Sequence, residues 1–303
     1  MKHILSIGFI FAATHLSAAP PKVVTDTTVV HSLTAMIMDG IGAPETLLDR
    51  GADAHSFQLR PSQAASVAEA NLIIWLGPQM TSWLERPIAN LGAEATKLEL
   101  LELEGLYLRD YGDAHDHDHD HDHDDGDSSR ESIDPHAWLD PVNALIWLDA
   151  ISAELAALDP ENAPLYAKNT LAAKAGIQQM DAEISAELAP LGGRSFVVFH
   201  DAYGYFTEHY GLEQAHALAL GDATTPGATR ISALKADILE EGATCLFPEA
   251  QHDPALLLTL AEESGVRVGP PLDPEGSSAE PGPGAYAVVM RGLSTALKTC
   301  LAP

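Results

Sequence analysis

Short apolar runs alternate with helix-patterned stretches along most of this chain, and that alternation restricts the fold more than any other feature. "KVVT" leads into "VVHSLTAMIMDGIG", and "ETLL" precedes "RPSQAASVAEA". "NLIIWLG" is short, largely apolar and followed by proline, the pattern of a buried strand. Beyond residue 140, "DPVNALIWLDAISAELAAL" is helical in pattern. "SFVVFH", "TCLFPEA" and "VRVGPP" then repeat the strand pattern, and "PALLLTLAEESG" reads as a helix stopped by glycine. Strands and helices in turn imply α/β structure with parallel sheets.

Between the two strand-bearing halves, residues 162–189 are rich in Ala, Leu, Lys, Glu and Gln. Leu165, Leu171, Ile177, Ile184 and Leu188 form an approximate helical stripe, and Pro190 with Gly192 and Gly193 closes it. A helix of that length spans roughly 40 Å. It reads either as a rigid rod joining two lobes or as an ordinary long packing helix with a weak point at Gly176. The expected division is an N-terminal (β/α) lobe over 20–161, a linker helix over 162–189 and a C-terminal (β/α) lobe over 190–303. With 46% apolar residues in 303, both lobes can fill a core.

One stretch cannot enter any core. Residues 114–127 read "AHDHDHDHDHDDGD". His115, His117, His119, His121 and His123 alternate with aspartates, and eight aspartates lie between Asp113 and Asp127. The expectation is a solvated loop that collects metal ions. Imidazole suits zinc, copper and nickel, while carboxylate also takes harder ions. Ordering such a strip costs backbone entropy, so it should bind ions weakly.

The first residues, "MKHILSIGFIFAATHLSAAPPKV", combine Lys2, an apolar stretch from Ile4 to Ala13 and the small-residue site Ser17-Ala18-Ala19. That is the pattern of a secretory signal peptide over residues 1–19, too short for a membrane span. No cysteine follows the cleavage site, so no lipid anchor is expected, and the mature chain is expected to be soluble. Cys245 and Cys300, the only two cysteines, read as a disulfide in an exported protein. A zinc-thiolate role is the weaker reading, since such sites usually have closely spaced cysteines. The net charge of −28 argues against nucleic acid and anionic membrane surfaces. The loop's aspartates explain only part of it, so the acidic surface either favours a cationic ligand or serves solubility alone.

Three other histidines stand beside elements that a fold would fix. His55 lies in "GADAHSFQLRPS", His136 in "DPHAWLDP", and His200 ends "SFVVFH". In open α/β sheets, ligands bind beyond the carboxyl ends of strands. Three neutral imidazoles from both halves can therefore meet in one cleft and bind zinc, with a carboxylate or water completing a tetrahedron. Asp273 in "PPLDPEG", again after a strand, is the expected carboxylate.

At these residues the chain resembles a known family. "HSFQLRPSQ", "DPHAWLDPVNA", "FVVFHDAYGYF" and "LDPEG" are similar to signature segments of periplasmic zinc-binding proteins of ABC importers, the ZnuA type. The resemblance covers nearly the whole mature chain in order, including a His/Asp-rich loop before the "DPH" segment. It implies two Rossmann-like lobes joined by one long helix, with Zn(II) held between them. It also implies a periplasmic location and delivery to a membrane permease with its ATPase; a monomer is expected. His55, His136 and His200 match the family's three metal-binding histidines. Manganese-specific relatives carry glutamate at the position of His200. Some zinc-binding members place a glutamate just before the first histidine, where this chain has Ala54. Asp273 matches the aspartate that completes the site in many relatives, and the cysteine pair resembles a C-terminal-lobe disulfide. His31, His209, His216 and His252 match no family ligand and read as structural or surface residues.

Other functions use the same features differently. An exported zinc hydrolase needs a general base beside an open metal position, and the chain has no His-Glu-x-x-His motif and no glutamate adjoining an anchored histidine. Asp201, next to His200, reads as a residue that orients the loop or a ligand ring. A metal buffer without a transporter would share the same ligands. A surface adhesin, a role suggested for some proteins of this fold, fits poorly with the missing lipid anchor.

Overall fold

The computed structural model describes residues 19–110, 133–213, 216–219 and 227–302. The signal peptide, apart from Ala19, and the His/Asp loop over 113–127 lie outside the described residues.

Two four-stranded parallel sheets carry the chain. The first is built from β1 (Val23–Thr25), β2 (Glu45–Thr46), β3 (Leu72–Trp75) and β4 (Thr96–Glu99), in the order β2-β1-β3-β4. Its helices are α1 (Thr28–Ile37), α2 (Pro61–Glu69) and α3 (Pro78–Asn90). All four residues of β3 are buried, as expected for a parallel strand covered on both faces. Then come α4 (Pro141–Leu158) and α5 (Ala163–Leu188). The second sheet contains β5 (Phe196–His200), β6 (His216–Ala219), β7 (Cys245–Leu246) and β8 (Arg267–Val268), in the order β6-β5-β7-β8. Around it lie α6 (Gly204–His209), α7 (Ala228–Glu241), α8 (Ala255–Ser264) and α9 (Ala285–Leu301). The two sheets thus repeat one strand order, and each has a topological switch beside its first strand.

The long helix forms as the composition dictates, but its buried face differs from the predicted stripe. Tyr166, Thr170, Ile177, Met180, Ile184 and Leu188 are buried, whereas Leu171 is exposed. Six residues separate Leu171 from Ile177, about 240° around a helix of 3.6 residues per turn, so the two cannot share a face. α5 packs against α1, α4 and α9, so it is a helix on which both halves lean. Helix α4 is long and apolar enough to cross a membrane, yet Trp147, Leu148, Ile151 and Leu155 on it are core residues. Its start is fixed by Asp140, whose carboxylate accepts from Val142 N, and by Pro141 in the first turn.

One apolar core runs through both halves, joining Trp138 and Trp147 to Tyr166, Phe196, Phe206 and Tyr286. Polar bonds cross with it. Trp138 Nε1 donates to Pro274 O, the Tyr286 hydroxyl to Trp138 O, and Gly51 N to Ser277 O. Cys245 on β7 is bonded to Cys300 on α9. Closing 55 residues of chain contributes about 4 kcal/mol by the loop-entropy account.

Candidate metal centre

The three predicted histidines come from three different parts of the chain. His55 sits in the loop between β2 and α2, where His55 N donates to Asp53 Oδ1 and Trp83 Nε1 holds Ala54 O. His136 precedes the short 3-10 turn Ala137–Leu139, the turn that leads into α4. His200 is the last residue of β5. The first two come from one half and the third from the other.

The structure brings their rings together. His55 Nε2 lies 3.4 Å from His136 Nε2, which lies 3.3 Å from His200 Nε2. Two nitrogens bound at 2.0–2.1 Å to one tetrahedral zinc are separated by about 3.3 Å. The outer ring nitrogens explain why the inner ones converge. His136 Nδ1 is 2.8 Å from Asp134 Oδ1, and His200 Nδ1 is 2.6 Å from Glu249 Oε2. A carboxylate accepts the hydrogen bond of Nδ1–H, which leaves the lone pair on Nε2, pointing inward. Both acids also grip the backbone: His136 N donates to Asp134 and His200 N to Glu249 Oε1, the oxygen that also accepts from the Tyr203 hydroxyl.

The carboxylate that the fold places beside the histidines is Glu275, where the sequence had pointed to Asp273. His55, His136, His200 and Glu275 form one group with the spacing of metal donors. Glu275 Oε1 lies 3.9 Å from His55 Nε2, and its Oε2 accepts from Ala54 N. Asp273 is spent elsewhere. Its two oxygens accept from the backbone N–H and hydroxyl groups of Ser277 and Ser278, closing the turn in which Gly276 takes a φ of 70°. Both acids lie in "LDPEGSS", and the serine pair was the available signal: four donors placed four and five residues on can saturate one aspartate.

Electrostatics follow from burial. His136, His200, Glu249 and Glu275 are almost fully buried, as is Asp134. Burial holds the pKa of His136 well below its usual value, helped by the neighbouring rings of His200 and His55. At His200 burial pulls the same way, but the charge and hydrogen bond of Glu249, with Glu275 and Asp134, overcome it and raise the pKa to about 9. Glu275 is pushed up to about 7, chiefly by burial. Asp134 is raised well above the carboxylate range by the same cause. Without a cation this group therefore retains protons at neutral pH, and a divalent ion would displace them.

The remaining expectations divide. Asp134 and Glu249, which sequence reading missed, hold the rings of His136 and His200 from behind. His209, taken as structural, joins three parts of the chain: Nδ1 is 3.1 Å from Asp140 and Nε2 is 2.8 Å from Asp181 on α5. His31 is buried in α1, and His252 lies beside Glu249. The described ends of the His/Asp segment meet in a bridge between Asp110 and Ile133, three residues before His136.

Comparison with known proteins points the same way. The family described as "Zinc-uptake complex component A periplasmic" matches residues 23–300. The high-affinity zinc uptake system protein ZnuA of Paracoccus denitrificans is 48% identical over 316 residues, covering 98% of this chain and 97% of its own. The protein of the same name from Brucella abortus is 34% identical, with coverage of 96% and 95%. Among solved structures, the periplasmic zinc-binding protein TroA of Treponema pallidum has a TM-score of 0.77 at 18% identity, covering 94% of this chain and all of its own. At that identity the likeness speaks for the fold: two parallel α/β lobes of the periplasmic metal-binding type.

Proposed function

The chain belongs to the ZnuA family, the periplasmic component A of zinc-uptake complexes, and from that membership we propose how this molecule does the family's work. It captures Zn(II) outside the inner membrane and hands it to a permease driven by an ATPase. His55, His136 and His200 hold the ion through Nε2, and Glu275 supplies the oxygen ligand. The observation that carries this reading is the approach of His136 Nε2 to those of His55 and His200, at 3.4 and 3.3 Å, with the His136 and His200 rings turned inward by carboxylates on their far sides. Nitrogen-rich ligation favours zinc over manganese. Histidines and glutamate drawn from both halves also give the ion a way to favour closed lobes over open ones, the form a receptor can read.

The same proposal includes an exported, periplasmic chain with residues 1–19 as its leader, lobes over 20–161 and 190–303, and residues 162–189 as the stiff connection. The His/Asp segment over 113–127 gathers zinc near the cleft. Its negative charge raises the local cation concentration, and its imidazoles hold zinc weakly.

Competition calorimetry on three proteins tests the reading: the intact chain, one lacking residues 113–127, and His136→Ala. The expected result is one tight zinc in the first two and its loss in the third. Tight zinc retained by His136→Ala and lost with the loop would overturn it.

A further inference from the structure

One histidine beside the cleft has no part in the site described above. His252 follows Glu249 by three residues, between β7 and α8. Its ring stacks on Phe199 with centroids 4.3 Å apart and 13° between planes, which sets it 5.8 Å from the ring of His200. Its Nε2 atom is buried and makes no hydrogen bond. That nitrogen faces Glu249 Oε2 at 3.6 Å. The gap is long for a hydrogen bond but close to the distance of about 3.3 Å between two donors on one tetrahedral zinc. Buried polar atoms without a partner are uncommon, and an ion is one of the groups that satisfies them. His200, Glu249 and His252 also have the mutual spacing of a metal-binding group.

We propose that Glu249 and His252 form a second, transient zinc position, through which the ion passes between solvent and the three-histidine centre. The proposal rests on the reading that the cleft carries zinc. His252 is the outward member, with 13% of its side chain exposed against none for Glu249. His200 Nδ1 keeps its bond to Glu249 throughout. The passing ion is held by the Glu249 carboxylate and His252 Nε2, and water completes its shell. Two protein donors make a weak site, as a relay requires. A ligand that touches the ion only in transit lowers the barrier from both sides. Detailed balance then makes capture and release change by the same factor, with the equilibrium affinity unmoved.

The test is stopped-flow transfer of zinc into and out of the full chain, at one equivalent, against a chromophoric chelator. His252→Phe keeps the stack on Phe199 and removes both nitrogens. Capture and release should each slow about tenfold, the rate equivalent of about 1.4 kcal/mol, with the dissociation constant unchanged. Rates equal to those of the parent chain would overturn the relay, and so would weakened affinity with an unchanged capture rate, the mark of a structural role. If His252→Phe melts at a lower temperature than the parent, His252→Ala is read by the same criteria. A parent chain without tight zinc would instead refute the functional reading on which the relay stands.

Discussion

The two fully buried histidines are held alike, by a carboxylate on Nδ1, yet their supports come from opposite kinds of neighbour. Asp134 lies two residues before His136 and bonds its ring and its backbone from within one turn. Glu249 is 49 residues from His200 and reaches it across the second sheet, from the segment beyond β7. The local support depends on one turn. The distant one depends on the pairing of β5 with β7 and on the Tyr203 hydroxyl. The difference also appears in protonation, since His136 is driven toward the neutral form while His200 is held protonated up to about pH 9.

The largest expected effect of that contrast is on pH dependence. Zinc needs His200 and Glu275 deprotonated, and both have raised pKa values, about 9 and about 7. Affinity therefore rises with pH, first through 7 and then more gently toward 9. Below pH 7 two protons leave per zinc, about 100-fold in affinity per pH unit. Chelator competition from pH 5 to 9 measures both limbs. A curve already flat at pH 7 would break the claim that Glu249 holds a proton on His200.

Removing a ligand comes next. Structural zinc sites bind with about 10–16 kcal/mol, so one of four ligands is worth about 3 kcal/mol, or about 100-fold in affinity. His200→Ala and His136→Ala should each lose at least that much in zinc titrations. A smaller loss for one would identify it as the dispensable side of the pair. The supports themselves follow. Glu249→Gln and Asp134→Asn should each weaken zinc about 10–100-fold, with Glu249 the larger. Glu249→Gln should also abolish the limb between pH 7 and 9, which Asp134→Asn should keep. Equal losses and identical pH curves would mean that sequence distance between support and ligand has no consequence.

The smallest effect on zinc is expected at Asp273. Asp273→Ala leaves four donors of Ser277 and Ser278 without their acceptor. It should cost about 1–3 kcal/mol of stability in denaturant titrations. Zinc affinity should change far less than in Glu275→Ala, measured in parallel.

These contrasts also mark what a single sequence could reveal. Strand and helix alternation, the long helix and the cysteine pair were legible because each is a local pattern or a count. The three histidines that the fold brings together could be singled out because each lies in a distinctive short motif, "GADAHSFQLRPS", "DPHAWLDP" or "SFVVFH". Glu249 was not, because nothing near "LFPEA" says which histidine it will face after β5 and β7 pair. Glu275 was missed for a different reason. It shares a turn with Asp273, and which acid turns inward was decided by the serines that follow. Strands β4 and β6, with "TKLE" and "HALA", lacked the apolar run that marked β3 and β5.

One zinc is expected among His55, His136, His200 and Glu275, between the two lobes. A crystal structure of the full chain loaded with one equivalent of zinc, located by anomalous scattering at the zinc edge, tests it most directly. Three Nε2 atoms and one Glu275 oxygen are expected at about 2.0–2.2 Å from the ion, with Asp273 still on its serines. An ion ligated by Asp273 in place of Glu275, or lacking His200, would contradict it.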